Sequence, residues 1–186
     1  MTTTRTNGES GTRQRILEVA LARFVSAGYA GTSVRQIADD VGVTQPTLYY
    51  HFGSKDGILA ALIEPFLRDG EALLDRLETL RGPRATLTRE ALEGFYDVLV
   101  RHFDVALFVE TDRAVRSHEV AGHRLAAQAA RLIDLLAASR RVEQRVNAAA
   151  ALGAIRRPLR LPDIDPVRHR AHVVRCALAA ASPDGH

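Results

Sequence analysis

The residues best equipped for intermolecular chemistry lie between positions 44 and 51, Thr-Gln-Pro-Thr-Leu-Tyr-Tyr-His. Hydroxyls, a carboxamide, a proline ring and an imidazole follow one another where a core helix would carry aliphatic side chains. No carboxylate falls among them. That chemistry suits a nucleic acid. Gln45 can pair with an adenine edge, and the carbon surfaces of Pro46 and Thr47 can meet a thymine methyl. The hydroxyls of Thr44, Tyr49 and Tyr50 suit phosphate oxygens, and His51 adds a further polar group. Lys55, the only lysine in the chain, stands at the start of the next helix. There its charge and the helix's backbone N–H groups can hold one phosphate together.

Other chemistries lack their parts. The sequence has no Gly-rich phosphate loop, no nucleophile elbow and no metal triad, so an enzyme is not expected. Glu119 and His123 share a helix face at i, i+4, but no third ligand accompanies them, so no metal or other cofactor is expected. The one cysteine, Cys176, excludes a disulfide framework within the chain and reads as a small buried residue.

The elements that would position the 44–51 segment can be read from periodicity and caps. Ile16, Leu17, Ala20, Leu21 and Phe24 form one apolar stripe, preceded by Thr12 as a cap and closed by Gly28. Ser33 with Gln36 reads as a capping box, and Val34, Ile37, Ala38 and Val41 face inward. Gly42 supplies a turn with positive φ. Thr44 caps the next helix, with Pro46 in its first turn. Residues 33–52 thus form two helices crossing at a tight turn, the helix-turn-helix pattern. A plain three-helix packing unit with exposed tyrosines is the alternative. A long helix from Ser54 to about Leu80 follows, with Pro65 expected to kink it and Gly70 to loosen it. Further helices are expected at about 87–103, 105–112, 117–139, 142–157 and 166–181, giving an all-α fold.

Composition agrees with a helical globular chain: of 186 residues 46% are hydrophobic and only 5% aromatic. The net charge of +3 is a weak pointer to a polyanion, and residues 1–70 carry seven basic and seven acidic side chains. Charge alone does not lead to DNA. The polar start, with no apolar run, is not a secretory signal, and no run approaches a membrane span, so a cytoplasmic setting is expected.

Phe24, Gly28, Tyr29, Thr32, Ile37, Ala38, Gly42, Val43, the run TQPTLYYHF, Lys55 and Leu59 together resemble the N-terminal pattern of the TetR (tetracycline repressor) family of bacterial transcriptional regulators. The resemblance is dense over about residues 12–60. Residues 1–10, polar and rich in Thr, are expected to form a disordered arm; the resemblance implies a DNA-binding domain at 11–60 with the helix-turn-helix at about 33–52, and an effector-binding and dimerisation domain at 61–186. It implies DNA contacts by Gln45, Pro46, Thr47, Tyr49, Tyr50, His51 and Lys55, with Thr32, Ser33 and Arg35 joining from the preceding helix. It implies a small-molecule effector, for which Phe66, Phe95, Tyr96, Leu99, Phe103, Phe108, Arg113, His118 and His123 are pocket candidates.

One recognition helix buries too little surface for tight specific binding, so a homodimer reading a near-palindrome is expected. Val167, Ala171, Val174, Leu178 and Ala181 form one stripe, and the small residues of 147–155, among them Ala150 and Ala154, allow close helix approach. These are the expected dimer interface, with facing the intramolecular core as the alternative. The function expected is a ligand-released repressor bound to an operator. A transcriptional activator, or a helical adaptor without DNA binding, is the alternative.

Overall fold

The computed structural model describes residues 4–137 and 139–182, with side chains from residue 10 onward. Local chemistry sets the first elements. Helix α1 (Thr4–Ala27) buries Ile16, Leu17, Ala20 and Phe24 and ends at Gly28, whose φ is 77°. Helix α2 (Val34–Val41) starts at a complete capping box. Gln36 N–H bonds the Ser33 hydroxyl, and the Gln36 carboxamide accepts from Ser33 N–H. Gly42, at φ 78°, closes it. Helix α3 (Gln45–Phe52) is capped by Thr44, with a proline in its first turn.

Helix α4 (Lys55–Thr79) carries Pro65 within it, and Ser54 Oγ accepts the Gly57 N–H at its start. There follow α5 (Arg84–Arg101), α6 (Phe103–Thr111), α7 (Arg113–Arg116), α8 (Glu119–Ala137), α9 (Val142–Arg156), a 3-10 turn at Pro158–Arg160, and α10 (Arg170–Ala181). The fold is all-α, and no strand occurs among the described residues.

The start of α1 differs from expectation. Its backbone is helical from Thr4, so Thr12 lies inside the helix and is not its cap. Of the arm expected to be disordered at 1–10, residues 1–3 lie outside the described residues and the rest is helical. Once the buried stripe from Ile16 onward has nucleated the helix, extension toward the N-terminus needs no second nucleation.

The chain divides into two compact units, Met1–Pro65 with Asp104–His123, and Phe66–Phe103 with Arg124–His186. This differs from a single boundary at 60/61. Residues 104–123 join the first unit because Phe108 stacks on Phe24 at 5.6 Å between ring centroids and Asp112 accepts the Tyr29 N–H at 2.7 Å. Helix α4 is continuous and contributes to both units, Pro65 being the last residue of its first part.

Within the second unit, α10 packs along α9 and against α5. Ala148, Ala151, Leu152 and Ile155 of α9 are buried, as are Val173, Val174 and Ala177 of α10. Arg170 holds Asp97 through two hydrogen bonds of 2.8 and 2.9 Å. Gly70 lies within the unbroken helical run of α4. It makes room for Gln128, whose amide donates to the Leu67 carbonyl at 2.8 Å; a Cβ at position 70 would come within 2.7 Å of the Gln128 carboxamide oxygen. Arg131 of α8 then bridges Glu71, Asp75 and Glu78 of α4 at 2.7–2.8 Å.

The expected interface stripe is only partly on the surface. Val174 is buried inside the unit. Val167 is exposed but precedes α10, in a turn where the Asp165 carboxylate accepts the Val167 and Arg168 N–H groups. Ala150 and Ala171 are exposed, while Ala154, Leu178 and Ala181 are half-buried. The helix begins only at Arg170, and its packing on α9 and α5 turns 173, 174 and 177 inward. The same orientation leaves Cys176 exposed, contrary to its reading as a buried residue.

Candidate nucleic-acid interface

Helices α2 and α3 meet over a small apolar wedge. Ile37 and Ala38 of α2 and Leu48 of α3 are buried to within 1%. Gly42 and Val43 both donate to the Ala38 carbonyl at 3.0 Å, so the turn is tied to the last turn of α2. Leu48 is the one buried residue of α3. That single anchor turns the rest of the helix outward.

Gln45 and Pro46 are exposed and Thr47 is half-exposed. Tyr49 is 48% exposed and Tyr50 77%. His51, half-buried, meets the Tyr50 ring edge-on at 5.3 Å. The Thr44 and Thr47 hydroxyls hydrogen-bond each other at 2.9 Å, so one of these groups reaches a phosphate only by sharing that bond. Ser33 and Arg35 are exposed at the start of α2, with Arg35 3.7 Å from Asp39.

Two expected contacts are placed otherwise. Thr32 is buried, and its hydroxyl donates to the Gly28 carbonyl at 2.9 Å. It closes the turn between α1 and α2 instead of facing outward. Lys55 also turns inward. Its ammonium donates to the Tyr29 and Thr32 carbonyls, each at 3.0 Å, and lies 4.3 Å from the Tyr29 ring centre. With two of its three N–H donors engaged, Lys55 braces the turn more than it offers a free charge to a phosphate.

Several contributors carry no local signature in the sequence. Arg13 of α1 stacks its guanidinium 5.0 Å over the ring of Phe52, at the end of α3. Arg23 of α1 forms a two-pronged ion pair with Asp40 of α2. That hydrogen bond holds the Asp40 carboxyl below the usual carboxylate range. Tyr29 is the hub of the unit. Its ring packs edge-on against Phe24 at 5.2 Å and its hydroxyl donates to Asp56. Burial first, and Asp56 second, push the Tyr29 hydroxyl well above its ordinary value. The aromatic spacing around 24 and 29 was visible in the sequence; the partners were not.

The effector-pocket candidates fall in both units. Phe66, Phe95, Tyr96, Leu99 and Phe103 belong to the second. There Phe66 meets His102 edge-on at 6.0 Å, Arg156 lies 5.1 Å over Phe95, and Tyr96 donates to the Pro166 carbonyl. Phe108, Arg113, His118 and His123 belong to the first. Phe108 is core there, and Arg113 and His123 are exposed. His118 accepts the Ala121 N–H through Nδ1 at 3.3 Å, while its Nε2 lies 3.4 Å from Asp56. Among the described residues no three His, Cys, Asp or Glu side chains gather in a metal-binding group.

Comparison with known proteins bears on this geometry. Residues 16–62 match the family described as "Bacterial regulatory proteins, tetR family". The HTH-type transcriptional repressor KstR2 of Rhodococcus jostii is 29% identical over 119 residues, 61% of this chain and 56% of that protein. KstR2 of Mycolicibacterium smegmatis is 31% identical over 100 residues, 52% of this chain and 47% of that protein. The chain thus spans about half the length of these curated relatives. A member of the TetR transcriptional regulator family from Streptomyces coelicolor has the same fold, with a TM-score of 0.72 at 21% identity over 89% of this chain and 88% of that one. NalD, the secondary repressor of the MexAB-OprM efflux pump in Pseudomonas aeruginosa, gives a TM-score of 0.68 at 23% identity over 94% of this chain and 97% of that one.

Proposed function

We propose, from the premise that the chain belongs to the tetR family of bacterial regulatory proteins through residues 16–62, that it is a ligand-released transcriptional repressor that acts in the cytoplasm. It binds a near-palindromic operator as a homodimer. The observation that carries this reading is α3, which fully buries only Leu48 and presents Gln45, Pro46, Tyr49 and Tyr50 to solvent. Its N-terminal residues read base edges in the major groove, and the Tyr50 hydroxyl and Ser33 hold the phosphate backbone. A two-fold dimer sets two such helices one DNA turn apart, ~34–36 Å.

The outward face of α9, with Val142, Val146, Ala149 and Ala150 exposed, supplies the dimer contact. An effector bound to the second unit biases α4, which runs through both units, and so lowers DNA affinity. By linkage DNA lowers effector affinity equally.

Selection of duplexes from a random pool by the purified protein tests the reading. Recovery of two half-sites related by a dyad, with centres ~10 bp apart, is expected. Log affinity for the recovered duplex should fall with log salt. A pool that never enriches would end the proposal.

A further inference from the structure

Asp112 is held in an arrangement that an ordinary helix cap does not require. As N-cap of α7 it needs one acceptor, and its Oδ1 takes the Val115 N–H at 3.0 Å. Its other oxygen reaches 83 residues back along the chain to accept the Tyr29 N–H at 2.7 Å. Position 28 is glycine at φ 77°, and even a Cβ there would stand 3.5 Å from that oxygen. The carboxylate therefore sits between the turn that follows α1 and the first turn of α7, serving both.

The turn it grips leads straight to the DNA-reading pair. The Thr32 N–H and hydroxyl close residues 28–32, and Ser33 is the N-cap of α2. Lys55 holds the carbonyls of this turn, and Asp112 holds its leading N–H. Between them the turn's place is set from two sides.

We propose that Asp112 is a positioning residue for DNA reading. It couples the single turn of α7 to the placement of α2 and α3, so that unwinding α7 releases the recognition pair. This rests on the DNA-binding reading above and adds a route of control at residues 112–115 in the same unit.

Asp112→Asn and Asp112→Ser separate the two tasks. Asn and Ser both cap helices through one oxygen, and neither offers the second acceptor that Tyr29 uses. The probes are the duplex selected by wild-type protein and an unrelated duplex of equal length, with amide hydrogen exchange read alongside. In either variant the Val115 amide should stay protected and the Tyr29 amide should exchange ~10-fold faster or more. Affinity for the selected duplex should fall ~10-fold, while the unrelated duplex, held by phosphate contacts alone, should bind as before. A merely structural role would lower thermal stability and leave the affinity of the folded protein unchanged. That result, with Tyr29 deprotected, overturns the proposal. If neither variant folds, exchange in wild-type protein decides: addition of the selected duplex should slow the Tyr29 and Val115 amides together, and slowing of one alone overturns the coupling. A wild-type protein that selects no duplex sinks the DNA reading itself, and this inference with it.

Discussion

Tyr49 and Leu48 are neighbours in sequence that face opposite ways, and the recognition-helix reading assigns them opposite phenotypes. Leu48 is 1% exposed, so Leu48→Ala should cost about 2–5 kcal/mol of stability with little loss of affinity in the fraction that stays folded. Tyr49 is 48% exposed. About half of a tyrosine's ~150–250 Å² rests on protein, and at ~25 cal/mol per Å² this sets an upper bound of roughly 3 kcal/mol on Tyr49→Ala destabilisation. Residual burial in the unfolded chain lowers it further.

Tyr49→Phe is the cleaner perturbation. Among the described residues the Tyr49 hydroxyl has no partner within the protein, so its removal should leave stability within about 0.5 kcal/mol. If that hydroxyl meets DNA, its loss should weaken specific binding by about 0.5–1.5 kcal/mol, roughly 2- to 13-fold. Tyr49→Ala should weaken it by about 1–3 kcal/mol. Urea unfolding gives the stabilities, and fluorescence anisotropy of the labelled, selected duplex gives the affinities. Wild-type affinity in both folded Tyr49 variants would refute the placement of α3 in a groove.

Lys55→Met removes two charge-assisted bonds to the 29–32 turn and should lower stability by about 1.5–3 kcal/mol. Its salt slope for DNA should stay near wild type, whereas loss of a true phosphate contact would reduce the slope by about 1. The Arg23 hydrogen bond holds the Asp40 carboxyl below the usual carboxylate range, so the folded chain binds that proton more weakly than the unfolded chain. The pairing thus supports the fold above about pH 4 and is lost as pH falls through the depressed value. Asp40→Asn should flatten the acid limb of the stability–pH curve relative to wild type, as followed by thermal melts between about pH 2 and 5. Val146→Glu places a charge on the exposed face of α9 and should convert the proposed dimer to monomer in sedimentation velocity; an unchanged dimer would move the interface elsewhere.

What the sequence disclosed was chemistry acting within a few residues. The Ser33–Gln36 box, the Thr44 cap with Pro46, and Gly42 each satisfy a helix end by a contact no more than four positions away. Such contacts leave a fixed spacing to read. The inward bonds of Lys55 leave no such spacing, because they join residues 26 and 23 positions apart, whereas the Thr32 hydroxyl closes its turn on Gly28 only four positions back. Asp112 lies farther still from its partner, and nothing around position 112 marks it. Val174 illustrates a different failure. A 4-3-4-3 stripe fixes which residues share a face of α10 but not which way that face turns. The packing of α10 on α9 and α5 decided that.

The balanced charge of residues 1–70 left open an adaptor without DNA binding, and the ion pairs bear on that alternative. A phosphate backbone responds to charges left uncompensated near it, not to a domain's sum. Asp40 of α2 is held by Arg23 and Asp39 lies beside Arg35, while α3 has no carboxylate. Asp56 of α4 accepts from Tyr29 and stands near His118. The acids of the helix pair are thus offset by cations of α1 and α2, and the groups left facing outward from α3 are neutral donors and acceptors. Sequence reading by such groups needs little net positive charge, because base-edge hydrogen bonds carry the discrimination and a few arginines supply the encounter. A shallow salt slope with strong duplex preference then fits this surface better than the reverse.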